Sequence, residues 1–297
     1  MLAPIIVFAF NRPDLLQATL MSLQGNILAD QSDLFIYIDG PRTEKDFEKV
    51  EETKKVAENV TGFRSKTVLC SAINKGLAKS IVTGTSEVIE KYGKAIVLED
   101  DLFLSSGFLS FMNTMLDAYE SDERVFQISG FGTKVRVPKG YSCEYYLNTR
   151  AQSWSWATWK DRWDSIDWEI MDYNEFMADK VLKRKLLKSG SELVDAVWYY
   201  KNGADIWYIC FMYNMFRQNK YCITPIRSLV KNEGFRNDAT HTKNYNRFNV
   251  EFDNRIHDYE INRCLSWNKR INRSAVKYWT ISYRVYGKMR TFLSKLF

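Results

Sequence analysis

The sequence predicts an α/β protein: a mixed, mainly parallel sheet flanked by helices, carrying a basic helical tail. Two observations lead to it. Short apolar runs rich in β-branched residues alternate with longer helical stretches through the first hundred residues, the rhythm of βαβ units. The fourth run, Lys94-Ala95-Ile96-Val97-Leu98, reads as a strand buried on both faces and leads straight into three carboxylates, Glu99, Asp100 and Asp101.

In chain order, residues 5–10 read as the first strand, and Arg12-Pro13-Asp14 starts a helix that runs to about Leu23. A second strand, 34–38, ends in Asp39-Gly40-Pro41-Arg42, and a charged helix, 44–59, keeps its Lys and Glu residues on a solvated face. A third strand, 67–70, precedes Asn74-Lys75-Gly76-Leu77 and a helix ending at Tyr92-Gly93, where Gly is the expected C-cap. After the acids come a helix to about Tyr119, a strand at 125–129, a further strand at 145–147, helical sequence at 174–200, a helix to about Asn219 and a strand at 221–225. The run 154–163 holds four tryptophans. Trp156, Trp159 and Trp163 have the spacing of a helix packing inward, whereas an aromatic wall of a sugar or nucleotide pocket is the functional alternative.

The chain has 297 residues, 45% of them hydrophobic and 26% charged, as in a soluble globular protein. Its formal charge of +6 is a local property. From Lys269 to Phe297 there are eight Lys or Arg and no acids, which leaves 34 of the 42 basic residues against 36 acidic ones elsewhere. No basic stripe marks the folded part, so nucleic acid is not an expected partner. Five cysteines, an odd number without CxxC spacing, argue against a disulfide framework or zinc knuckle and for a reducing cytosol. The N-terminus lacks a basic region and reads as a strand instead of a signal peptide, and no run approaches the length of a membrane span.

Clustered buried carboxylates repel one another and lose hydration, so they call for a counter-charge. A divalent cation is the natural one, and oxygen ligands favour Mg²⁺ or Mn²⁺. The acids would lie beyond the carboxyl end of a strand, where open α/β sheets bind ligands. An exposed acidic turn is the bland alternative.

The order of these motifs (a strand with Asn11-Arg12-Pro13, a strand with Asp39-Gly40, a helix from Asn74, then Leu98-Glu99-Asp100-Asp101-Leu102) resembles the Rossmann-like GT-A glycosyltransferases. More closely, it is similar to the N-acetylglucosaminyltransferase I group and its bacterial relatives, which carry a Glu-Asp-Asp version of the DxD motif. The tryptophan-rich segment and Pro225-x-x-Ser228-Leu229-Val230-x-Asn232-x-Gly234, followed by His241-Thr242, fit the bacterial branch. Two features depart from it: Ala239 stands where those relatives usually have Gly, and the spacing from Asp205 to Pro225 is longer than in the animal enzymes. The resemblance covers roughly residues 3–245.

The resemblance implies a role for each matching position. Asp101 is the expected metal ligand, and His241 approaches the diphosphate or the metal. Asp100 faces the donor ribose or sugar, and Glu99 binds the sugar or supports the site. Asp39 accepts from a uracil, Arg12 holds the nucleotide end, and Lys75 and Trp156 join them on the nucleotide sugar. Asp205 takes the place of the catalytic base, which implies inversion at the anomeric carbon. The expected cofactor is Mn²⁺ or Mg²⁺, and the expected donor a UDP-sugar, with a GlcNAc-like sugar the favoured one. The acceptor is a glycan or lipid-linked glycan of a surface polysaccharide or lipopolysaccharide. Residues 1–265 form the expected domain, with a nucleotide-binding half at 1–103 and an acceptor-binding half at 104–265.

Two other functions compete. A sugar nucleotidyltransferase would want a Gly-rich loop after the first strand, and Phe10-Asn11-Arg12-Pro13 has no Gly. A non-catalytic sugar-nucleotide or glycan-binding protein of the same fold would have less need of all three acids and Asp205. In the tail, 266–297, Tyr278, Ile281, Val285, Met289, Phe292 and Leu296 follow helical spacing, with Lys277, Arg284, Lys288 and Lys295 on another side. That pattern reads as a helix lying on an anionic membrane, placing the protein peripherally on the inner face of the cytoplasmic membrane. A helix packed on the domain is the alternative.

Overall fold

The computed structural model describes residues 1–234, 248 and 250–293. The first part alternates as read: β1 (Ile5–Ala9), α1 (Pro13–Gln24), β2 (Asp33–Ile38), α2 (Phe47–Asn59), β3 (Ser65–Cys70), α3 (Leu77–Tyr92) and β4 (Lys94–Glu99). Pro13 starts α1 at a position where its missing N–H costs nothing. Gly93 ends α3 at φ +77°, donating its N–H to Ile89 at 2.8 Å. A short turn then leads to β5 (Leu102–Leu104), and α4 (Phe108–Ala118), β6 (Val125–Ser129), β7 (Tyr145–Asn148), β8 (Trp156–Trp159) and α5 (Lys160–Asp164) follow. The helical sequence from residue 174 onward divides into α6 (Tyr173–Ala178), α7 (Lys180–Leu186) and α8 (Leu193–Lys201). Last come α9 (Trp207–Arg217), β9 (Tyr221–Pro225), β10 (Val230–Asn232), α10 (Lys269–Val276) and α11 (Ile281–Leu293).

Eight strands form one sheet in the order β3-β2-β1-β4-β8-β6-β9-β7, and β5 pairs with β10 in a small ribbon. The first four sheet strands are parallel, β8 is antiparallel to both neighbours, and β9 returns parallel to β6. The α/β class with a mixed, mainly parallel sheet is therefore what the chain adopts. Alternate residues of β1 serve two cores. Ile5 and Val7 join one face with α1, α2 and α4, while Ile6 and Phe8 join the other with α3, α5, α8 and α9.

The tryptophan run departs from its helical reading. Residues 156–159 are the interior strand β8, so Trp156 and Trp159, three apart, point to opposite faces and fill opposite cores. Only Trp163 lies on a helix. The C-terminal segment departs as well. Ile271 and Ala275 of α10 are buried against Tyr146, and Tyr278 and Trp279 join the main core. Tyr283 of α11 also packs against that core.

Candidate functional site

The sheet order creates one switch point. From β1 the chain moves outward through β2 to β3, then returns to lay β4 on the other side of β1. The loops leaving β1 and β4 therefore diverge, opening a crevice beyond their carboxyl ends. Phe8 of β1 stands opposite Glu99 of β4 in register, which puts Asn11 and Arg12 across the crevice from Asp100 and Asp101. A cavity of about 180 Å³ occupies this place, lined by all six of these residues together with Asp39, Phe10, Arg42, Trp154 and Asn232.

The acidic turn is pinned from beneath. The Thr19 hydroxyl of α1 donates to the Asp100 carbonyl at 2.8 Å and accepts from the Leu102 N–H at 3.0 Å. From above, the β5–β10 ribbon sets Asn232 opposite Leu102. The Asn232 side-chain amide then donates to Asp101 at 3.2 Å, and the Glu233 N–H donates to the Asp101 carbonyl at 2.8 Å. Gly234 is required next to it: a Cβ there would sit 2.3 Å from an Asp101 carboxylate oxygen.

Arg12 is the counter-charge. Its guanidinium forks onto both Asp100 oxygens and reaches Asp101 with Nη1 at 3.0 Å. The Asp100 and Asp101 side chains are 3% and 11% exposed, so the pairing is screened only weakly by water. Burial works against the charge on Arg12, yet Asp100 and Asp101 hold its proton more tightly than usual. One cation cannot balance three acids. Burial first, and then the charges of Asp101 and Asp100, push the Glu99 carboxyl above its ordinary range. Burial raises Asp100 as well, against the pull of Arg12.

The remaining expected residues fall in several places. Asp39 is at the cavity, its oxygens taking the N–H groups of Gly40, Lys75 and Gly76 at 2.8–3.0 Å. Lys75 lines an adjoining recess of about 170 Å³ shared with Asp39 and Ser80. Trp156 is a correction: it is 1% exposed, stacked on Trp163 at 5.7 Å and beside Trp207 at 5.0 Å, and Trp154 lines the cavity in its stead. Asp205 has a structural duty. Both its oxygens are engaged by the first turn of α3, accepting from Leu77 at 3.0 Å and Ala78 at 2.7 Å. It caps a helix 128 residues away in sequence, each oxygen accepting one backbone N–H. His241 lies outside the described residues.

Asn11, Arg42, Trp154 and Asn232 are cavity residues that carried no assigned role. Asn11 and Arg42 sit in the same turns as Arg12 and Asp39, so proximity in sequence was a usable signal. Arg42 stacks over Phe10 at 5.0 Å. Asn232 reaches the site through long-range strand pairing with Leu102; the motif at 225–234 contained it, but without a role.

The donor set suits a hard divalent ion: carboxylates and an amide, with more negative charge than Arg12 neutralises. No three His, Cys, Asp or Glu side chains among the described residues converge into a ready cage. Mg²⁺ or Mn²⁺ held by one or two carboxylates plus substrate phosphates would need none.

No family model matches the chain, and neither does any curated protein. Among solved structures it is similar to S. aureus TarS 1-349, at 10% identity over 79% of this chain and 61% of that one, with a TM-score of 0.46. It is similar to the mannosyltransferase PcManGT from Pyrobaculum calidifontis, solved in complex with GDP-Man and Mn²⁺, at 13% identity over 54% of this chain and 46% of that one, with a TM-score of 0.39. With the galactosyltransferase LgtC, in complex with donor and acceptor sugar analogs, it shares 12% identity over 80% of this chain and 91% of that one, with a TM-score of 0.40. The chain thus spans about three fifths of TarS 1-349 and less than half of PcManGT. Overlap at this level assigns no activity to it.

Proposed function

We propose that this chain is a GT-A glycosyltransferase that binds a nucleotide-sugar donor in the crevice between β1 and β4. The observation that carries the reading is the pairing of Asp100 and Asp101 with a single guanidinium, beside buried Glu99, at the switch point of the sheet. A purely structural acidic turn would be exposed or balanced, and this one is neither. In this reading Asp101, which has Arg12 and Asn232 as polar partners, would hold the metal. When bound, Mn²⁺ or Mg²⁺ neutralises charge on the departing diphosphate. Arg12 and Arg42 flank the same cavity and supply fixed positive charge. One Asp39 oxygen accepts a single backbone N–H, which leaves it capacity for a donor such as a uracil N–H. UDP is accordingly the favoured nucleotide. The acceptor in this reading is a glycan or lipid-linked glycan of a surface polysaccharide, met at the inner face of the cytoplasmic membrane.

A second reading has one observation in its favour. Asp205 caps α3, and a non-catalytic nucleotide-sugar-binding protein would need it for nothing more. Release of nucleotide from a panel of UDP-, GDP- and dTDP-sugars separates the two. Release from a UDP-sugar with Mn²⁺, abolished by EDTA, is the expected result. Metal-dependent binding without release, in the presence of candidate acceptor glycans, would favour the second reading.

A further inference from the structure

The face formed by α10 carries a second concentration of charge that the crevice does not use. Lys269, Arg270 and Arg273 project from α10, Lys277 follows one turn later, and Arg136 joins them from the loop before β7. Together with Ser274 they line an open cavity of about 540 Å³. The loop is fastened along the helix by three bonds: the Arg136 N–H donates to the Ser274 hydroxyl at 2.8 Å, the Thr133 hydroxyl donates to the Ala275 carbonyl at 3.3 Å, and the Tyr278 hydroxyl donates to the Lys134 carbonyl at 3.3 Å. Tertiary structure thus adds Arg136 to four cations of one helical segment, and none of the five pairs with a carboxylate among the described residues. Five like charges held this close repel one another, and an anion with several oxygens relieves them.

Next to this cavity begins α11. Its Tyr283 packs on Tyr278 at 5.2 Å and Gly287 is buried, while Ile281, Val285, Met289 and Phe292 on the outer side are 50–68% exposed. Their spacing of four, four and three aligns them in one stripe. Lys277 joins the two features, its ammonium lying 4.9 Å from the Tyr278 ring and 5.7 Å from that of Tyr283. Thirteen helical residues extend about 20 Å, too short to cross a hydrocarbon core of about 30 Å, so the stripe suits the bilayer interface.

We infer that the α10 cavity is a phosphate site for anionic lipid headgroups, and that with the α11 stripe it docks the protein on an anionic bilayer. The cations take the headgroup phosphates while the stripe enters the acyl boundary beside them. The membrane setting rests on the proposal above; the residues and the two-part mode of attachment do not depend on the crevice.

Co-sedimentation of the full chain with phosphatidylcholine vesicles, with and without phosphatidylglycerol, tests this. The wild type is expected to bind only the anionic vesicles. Arg136→Glu and Arg273→Glu should each weaken that binding at least about fivefold, the loss for one surface cation. Val285→Asp with Met289→Asp should weaken it further, with unchanged thermal melting in every variant because these side chains are exposed. Equal binding to neutral vesicles, or no effect of the charge reversals, would overturn the inference. So would protection against melting by free pyrophosphate, lost in Arg136→Glu, without any vesicle binding, which would leave a small-anion site. Tighter binding to duplex DNA than to anionic vesicles would assign the face to nucleic acid and overturn it too. No sugar donor enters these measurements, so failure of the transferase proposal leaves their outcome untouched.

Discussion

Arg12 bonds Asp101 at 3.0 Å from 89 residues away in sequence, and the same guanidinium forks onto Asp100. The fold has thus bought one counter-charge for three acids. Replacing Arg12 by Met leaves Asp100 buried and unpaired. The expected cost is about 3 kcal/mol at pH 8, read from urea unfolding, and it shrinks at low pH where the acids take up protons. Mn²⁺ should raise the midpoint of Arg12→Met more than that of the wild type, because it replaces the missing charge.

Glu99 gives a pH dependence of defined sign. Its carboxyl is raised in the folded chain relative to an ordinary glutamate near about 4.3, so the fold favours the protonated form. Its contribution to stability is then greatest below that ordinary value and is lost as pH rises through the elevated folded one. Glu99→Gln should therefore unfold later than the wild type at pH 8, with the gap closing toward pH 4. Melting curves of both proteins across this range check it, and a gap independent of pH would contradict it.

Asp205 separates a cap from a base in one substitution. Asn keeps one acceptor oxygen for the helix N-terminus but cannot take a proton from a hydroxyl. As a cap only, Asp205→Asn should keep one of the two backbone bonds, lose less stability than the about 1 kcal/mol of Asp205→Ala, and keep any transfer activity. Loss of activity in a folded Asp205→Asn would support the base assignment.

The two neighbouring tryptophans should behave oppositely. Trp156→Ala empties a site stacked among Trp163, Trp207 and Phe211, at an expected cost of 3–5 kcal/mol (roughly the range for large-to-small core changes). Trp154→Ala should cost less and instead weaken binding of a nucleotide sugar, measured by calorimetry.

These outcomes bear on what the sequence made legible. The strand at Val125–Ser129 and the Gly93 cap were readable because apolar run length and a left-handed glycine are local signals. The positions of Arg12, Asp39 and the three acids followed from strand ends, which the βαβ rhythm locates. Trp156 was misread because a strand buried on both faces has no polar phase, and its apolar residues then fit a helical spacing equally well. The capping contact of Asp205 was missed because a cap is usually judged against its own helix, and this one serves α3 across 128 residues. The C-terminal segment shows the same limit. Local amphipathicity marked an exposed basic helix, whereas burial of Ile271 and Ala275 against Tyr146 depends on where β7 lies.

The central claim is that the Asp101 carboxylate holds a divalent ion together with a nucleotide diphosphate. Mn²⁺ electron paramagnetic resonance, titrated with and without UDP for wild type and Asp101→Asn, reads it directly. The account predicts Mn²⁺ immobilised by the wild type when UDP is present, with at least tenfold weaker uptake in the variant, in line with loss of a metal-site partner. Equal uptake by both proteins, or none by the wild type with UDP in excess, would contradict it.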